Sequence, residues 1–97
     1  MNIYNTFNYN STSNEEILEA ILNDFTKNCS GRNTATFIIA LQAKQYNISE
    51  NEILSFVMRK WGDVDFTEKE AIRAIHNGFK YTPYVQYVFN SNNSNNI

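Results

Sequence analysis

The chain has 97 residues, 42% hydrophobic and 19% charged, which is one domain's worth of core. Only 3 Gly and 1 Pro argue against a sandwich rich in tight turns, and a net charge of −2 excludes a global field that draws the chain to nucleic acid. A single cysteine, Cys29, excludes a disulfide framework and a Cys-rich metal site.

The first twelve residues read as an N-terminal extension. They lack a basic start followed by an apolar core, so no signal peptide is expected. No apolar run reaches membrane-spanning length, and a cytoplasmic protein is the expectation.

Three S/T-x-x-E patterns then mark helix starts: Ser13 with Glu16, Ser49 with Glu52, and Thr67 with Glu70. In each, the hydroxyl accepts from an orphan amide and the Glu reaches back. The first helix is predicted from about 14 to 27, with Ile17, Leu18, Ile21, Leu22 and Phe25 on one face. The second, from about 34 to 46, is apolar nearly all round (Phe37, Ile38, Ile39, Ala40, Leu41, Ala43), which marks a central helix. Asn47 is its expected stop. The third spans about 50 to 61, with Ile53, Leu54, Val57 and Trp61 inward and Gly62 as the C′ residue. The fourth spans about 68 to 80, with Ala71, Ile72, Ile75 and Phe79 inward.

Short connections make neighbouring helices pack closely. The expected fold is all-α: a compact bundle of about four short helices over residues 13 to 81. Residues 82 to 97 are expected to be an aromatic arm and an Asn-rich disordered tail. The stretch "YTPYVQYVF" (81 to 89) reads as a strand or extended arm, paired with "IYNTFNY" (3 to 9).

Charge is uneven. Residues 1 to 26 carry four acids (Glu15, Glu16, Glu19, Asp24) and no base; residues 27 to 97 carry eight bases against six acids. Catalysis has little support. His76 and Cys29 are 47 positions apart with nothing to mark them as a pair. Asp63 and Asp65 in "GDVDF" are two apart, but a hard cation needs more oxygen ligands, and a polar inter-helix loop is the better reading. No metal and no cofactor is expected.

Two features suit an anion. In "CSGRNTATFIIALQ" (29 to 42), Gly31 lets backbone come close at a helix mouth and Arg32 has the fork geometry for a phosphate. The competing reading is that Ser30 or Asn33 caps the helix and Arg32 points into water. On the fourth helix, Lys69, Arg73, His76 and Lys80 are spaced i, i+4, i+7 and i+11, one narrow column beside the apolar face. Such a column suits a nucleic-acid backbone; the competing reading is a solvated helix face.

From Gly31 to about Tyr81, three segments follow in order: Gly31-Arg32-Asn33 opening an apolar helix with Phe37 and Ala40, then Ile48-Ser49-Glu50-Asn51-Glu52, then Phe66-Thr67-Glu68-Lys69-Glu70 leading to Ile72-Arg73-Ala74-Ile75. This order resembles the primase C-terminal helical domain (PriCT), related to segments in VirE-like proteins of bacterial mobile elements. The chain departs from that pattern at Val64-Asp65-Phe66, where a proline is common, and the 30 residues before Gly31 are not expected to hold the primase catalytic domain that usually precedes the module. Primase activity is therefore not carried over. The resemblance implies a helical accessory domain that assists replication proteins on DNA, with Arg32 and Asn33 acting at the helix mouth in structure or in phosphate contact.

The leading expectation is a non-enzymatic nucleic-acid-binding accessory domain of a phage or mobile element. It would contact single- or double-stranded DNA through Arg32, Asn33, Lys69, Arg73, His76 and Lys80. The alternative is a small protein-binding adaptor or inhibitor, facing a replication protein, another protein or a second copy of itself through its acidic first helix and aromatic ends.

Overall fold

The computed structural model describes residues 13 to 83. Four helices follow one another: α1 (Asn14–Phe25), α2 (Arg32–Ala43), α3 (Glu50–Trp61) and α4 (Glu68–Lys80), with a single 3-10 turn (Lys44–Tyr46) after α2. The all-α expectation holds. The only β-type pairing among the described residues is an isolated bridge between Asp63 and Phe66. The proposed pairing of residues 3 to 9 with 81 to 89 lies mostly outside the described residues. No described helix is long and apolar enough to cross a membrane.

Local chemistry sets the helix starts. Ser13 and Ser49 form complete capping boxes with Glu16 and Glu52. The third box is half-made: Thr67 accepts from the Glu70 amide at 3.3 Å, but no return bond from the Glu70 carboxylate forms. Ile48 and Phe66, each just before a cap, are both 1% exposed and sit in the core cluster with Ile53 and Ala71, four positions into their helices. That is the arrangement of a hydrophobic staple, which fixes how the chain enters a helix.

The ends of α1 and α2 differ from expectation. α1 stops at Phe25, where the Thr26 amide and hydroxyl both donate to the Leu22 carbonyl. α2 starts two residues early, with Gly31 as its N-cap and no side-chain cap bond. Gly31 holds φ 144° and ψ 161°, a region open only to glycine. The last turn of α2 tightens to 3-10, and Asn47 ends it in the left-handed conformation (φ 63°), which Asn tolerates. Gly62 caps α3 through a bond from its amide to the Met58 carbonyl, but its backbone is extended rather than left-handed. What it needs is space: a Cβ there would lie 2.7 Å from the Met58 carbonyl oxygen.

α2 is the central element and packs against each of the other three helices, most extensively against α4. Gly78 permits that approach. A Cβ at 78 would lie 2.8 Å from both the Phe37 carbonyl oxygen and the Ala40 Cβ. The core joins Ile17, Leu18 and Ile21 of α1, Ile39, Ala40 and Ala43 of α2, Ile53, Phe56 and Val57 of α3, and Ala71 and Ile75 of α4. Ile72, expected inward, is 47% exposed, because Ala71, Ala74, Ile75 and Gly78 define the buried face and 72 falls off it. Phe56, not expected inward, is 1% exposed and part of the core cluster.

Candidate nucleic-acid interface

Cations and carboxylates first pair to hold the bundle. Arg59 Nη2 of α3 donates to both carboxylate oxygens of Glu15 of α1, at 2.8 and 2.7 Å. Lys60 meets Glu19 at 2.5 Å. Both cations pass over the Phe56 ring, at 5.8 and 5.5 Å from its centroid. Two of the four acids of the first helix therefore answer bases inside the molecule. Asn14 adds a side-chain bond to Glu52 at 3.0 Å. That bond and the Ser49 amide hold the Glu52 carboxyl below its ordinary pKa.

Arg32 belongs to the same internal set. Its guanidinium donates to the Trp61 carbonyl at 2.8 Å and to Asp63 Oδ2 at 2.9 Å, and lies 5.4 Å from the Phe66 ring centroid. Asp63 Oδ1 accepts from the amides of Asp65 (2.8 Å) and Phe66 (3.0 Å), the geometry of an Asx turn. Arg32 foremost, then these amides, holds the Asp63 carboxyl below its ordinary pKa. Arg32 Nη1 is thus bonded within the chain, while its side chain stays 35% exposed. It ties the mouth of α2 to the α3–α4 turn. The "GDVDF" loop is a polar turn built on Asp63, and no group of three metal-capable side chains forms among the described residues.

Lys44 closes the other end of α4. Its ammonium donates to the Phe79 carbonyl at 3.0 Å and to the Tyr81 carbonyl, neutralising carbonyls that the helix leaves open. Tyr81 then folds back edge-on to Phe37, with centroids 6.1 Å apart.

Four of the eight Lys and Arg residues are engaged in this way: Arg32, Lys44, Arg59 and Lys60. Among the described residues, the other four (Lys27, Lys69, Arg73 and Lys80) have no carboxylate partner. Three of them lie in the α4 column, all exposed. His76, between them, is also exposed and leans toward α3, with Nδ1 3.6 Å from Glu50 Oε1. That contact attracts only while the imidazole is protonated.

The fold also brings Asn33 to Arg73. A groove of about 320 Å³ runs between the first turns of α2 and the middle of α4. Asn33, Thr34 and Phe37 line one wall, Glu70, Arg73 and Asn77 the other, and Ala74 the floor. Five of these residues (Thr34, Phe37, Glu70, Ala74 and Asn77) escape a reading of the sequence for sites. Their spacing is a usable signal, since Asn33 and Phe37 are i, i+4 and Glu70, Arg73 and Asn77 are i, i+3 and i+7. Which two helix faces meet is set only by the fold.

The chain matches no model of a known protein family, no curated protein and no solved structure. The resemblance to the primase C-terminal helical domain therefore rests on its short motifs alone.

Proposed function

We propose that the protein is a non-enzymatic nucleic-acid-binding domain whose contact surface is the outer face of α4. The observation that carries this reading is that, among the described residues, Lys69, Arg73 and Lys80 stand on one exposed column without a carboxylate partner while four other cations are bonded to groups of the same chain. Phosphates are the ligands such a column fits, and phosphate contacts position a protein without reading sequence. His76 lies within the column, and Asn33 stands across the groove from Arg73. Arg32 has a positioning role at the mouth of α2. Service as an accessory to phage or mobile-element replication is the form this activity takes if the primase-like order of motifs reflects descent.

The adaptor reading keeps less support. Glu15 and Glu19 of the first helix already face Arg59 and Lys60. Among the described residues that reading keeps the exposed Tyr81, Val64 and Ile72. Binding of labelled DNA to the parent protein and to a Lys69→Gln/Arg73→Gln/Lys80→Gln variant tests the α4 reading, and equal binding by the two sinks it.

A further inference from the structure

We infer that the groove between α2 and α4 receives one unpaired nucleobase of a bound single strand. The inference rests on the reading of α4 as a backbone-binding surface and adds what lies beside it. Arg73 belongs to both features: it stands in the exposed column and lines the groove. A strand whose phosphates follow the column therefore has its bases at the groove's edge.

The chemistry of the walls selects a base over a phosphate. Glu70 contributes a carboxylate, which only accepts hydrogen bonds and repels an anion. Asn33 and Asn77 contribute amides that both donate and accept, and Phe37 contributes an aromatic ring. Among the described residues the side chains of Asn33, Glu70, Arg73 and Asn77 have no partner. Donors, acceptors and a ring around one small space match the edge and face of a heterocyclic base, as single-strand readers use them. Glu70 favours a base with an exocyclic amine, since a carboxylate accepts from such a group. The size agrees. About 320 Å³ is at the small end of ligand-pocket volumes. A base inside a duplex cannot enter without leaving its stack.

The test compares three probes at matched salt: an oligo-dC strand, an abasic strand of the same length, and a duplex. The proteins are the parent, Thr34→Trp and Asn77→Ala, each checked for helical content by circular dichroism. Both substituted positions are exposed on their helices. Thr34→Trp fills the groove without changing charge; Asn77→Ala removes an amide and is the milder change should the Trp variant unfold. The expected result is that the parent binds oligo-dC about tenfold more tightly than the abasic strand. In both variants that ratio falls toward one. A parent ratio near one, with binding that still weakens as salt rises, overturns the groove and leaves the column standing. A ratio preserved in the variants also overturns the groove. No binding of any probe removes the column reading, and this inference with it.

Discussion

Arg32 and Asp63 are 31 positions apart in the chain and 2.9 Å apart in the fold. The pair joins the mouth of the central helix to the turn between α3 and α4, and the same guanidinium bonds the carbonyl that ends α3. One side chain thus answers an open helix C-terminus, a turn carboxylate and an aromatic face. Arg32→Ala should destabilise the protein by about 1–2 kcal/mol, chiefly through the lost charged bond to the Trp61 carbonyl, since the ion pair itself is half-exposed and screened. Urea unfolding followed by circular dichroism measures it. An unchanged midpoint would mean that Arg32 is not a clamp.

Two carboxyls make stability depend on pH in the acid range. Asp63 and Glu52 both have folded-state pKa values lowered from the ordinary ones, Asp63 by Arg32 and turn amides, Glu52 by Asn14 and the Ser49 amide. A lowered value means that the folded state holds the charged form more tightly. Their contribution is present in full above the ordinary carboxylate pKa, about 4, and is lost as pH falls through the folded-state values below it. Thermal midpoints should drop as pH is lowered from 5 through that window. In Asp63→Asn the midpoint should be lower at pH 7 and the acid-side drop shallower. A parallel curve would exclude Asp63 as a source of the dependence.

Two glycines should fail under alanine for opposite reasons. At Gly78 the new Cβ meets the Phe37 carbonyl and Ala40 Cβ at 2.8 Å, so α2 and α4 must separate. Overpacking of that kind costs about 1–3 kcal/mol and outweighs the gain of up to about 1 kcal/mol in helix propensity. At Gly31 nothing lies within 4 Å of the added Cβ, but φ of 144° is strained for any other residue, at about 1–3 kcal/mol. Unfolding midpoints of Gly31→Ala and Gly78→Ala check both. Stabilisation by Gly78→Ala would contradict the close contact of the two helices.

What the sequence makes legible follows interaction range. Ser49 with Glu52 and the apolar spacing after it place α3 at Glu50–Trp61 with no error, and Thr67 does the same for α4 at Glu68–Lys80, because these signals act within one turn. The mouth of α2 is harder. Ser30, Gly31 and Asn33 are all acceptable caps, and the choice of Gly31 goes with a backbone conformation that no spacing reveals. Arg32 is harder still, since its partners lie 29 and 31 positions away. The same limit applies to Arg59, which looks like an ordinary helix-end cation until the fold sets it against Glu15, 44 positions distant. The α4 column is read from 3.6-residue periodicity alone. That its cations find no carboxylate partner among the described residues, and that Arg73 and Asn33 line one groove, requires knowing what the fold brings near them.

The central claim is that the α4 column, and not overall charge, holds nucleic acid. Its most direct test is fluorescence anisotropy with labelled single-stranded DNA across a salt series. Three proteins are compared: the parent, Lys69→Gln/Arg73→Gln/Lys80→Gln, and a control with the same loss of charge elsewhere, Lys27→Gln/Arg59→Gln/Lys60→Gln. Contact with three phosphates predicts a slope of log affinity against log salt of about −2 to −3 for the parent, a similar slope for the control if it remains folded, and no measurable binding by the α4 variant. With both variants confirmed as folded by circular dichroism, equal weakening in the two, or no binding by the parent at low salt, would contradict the claim.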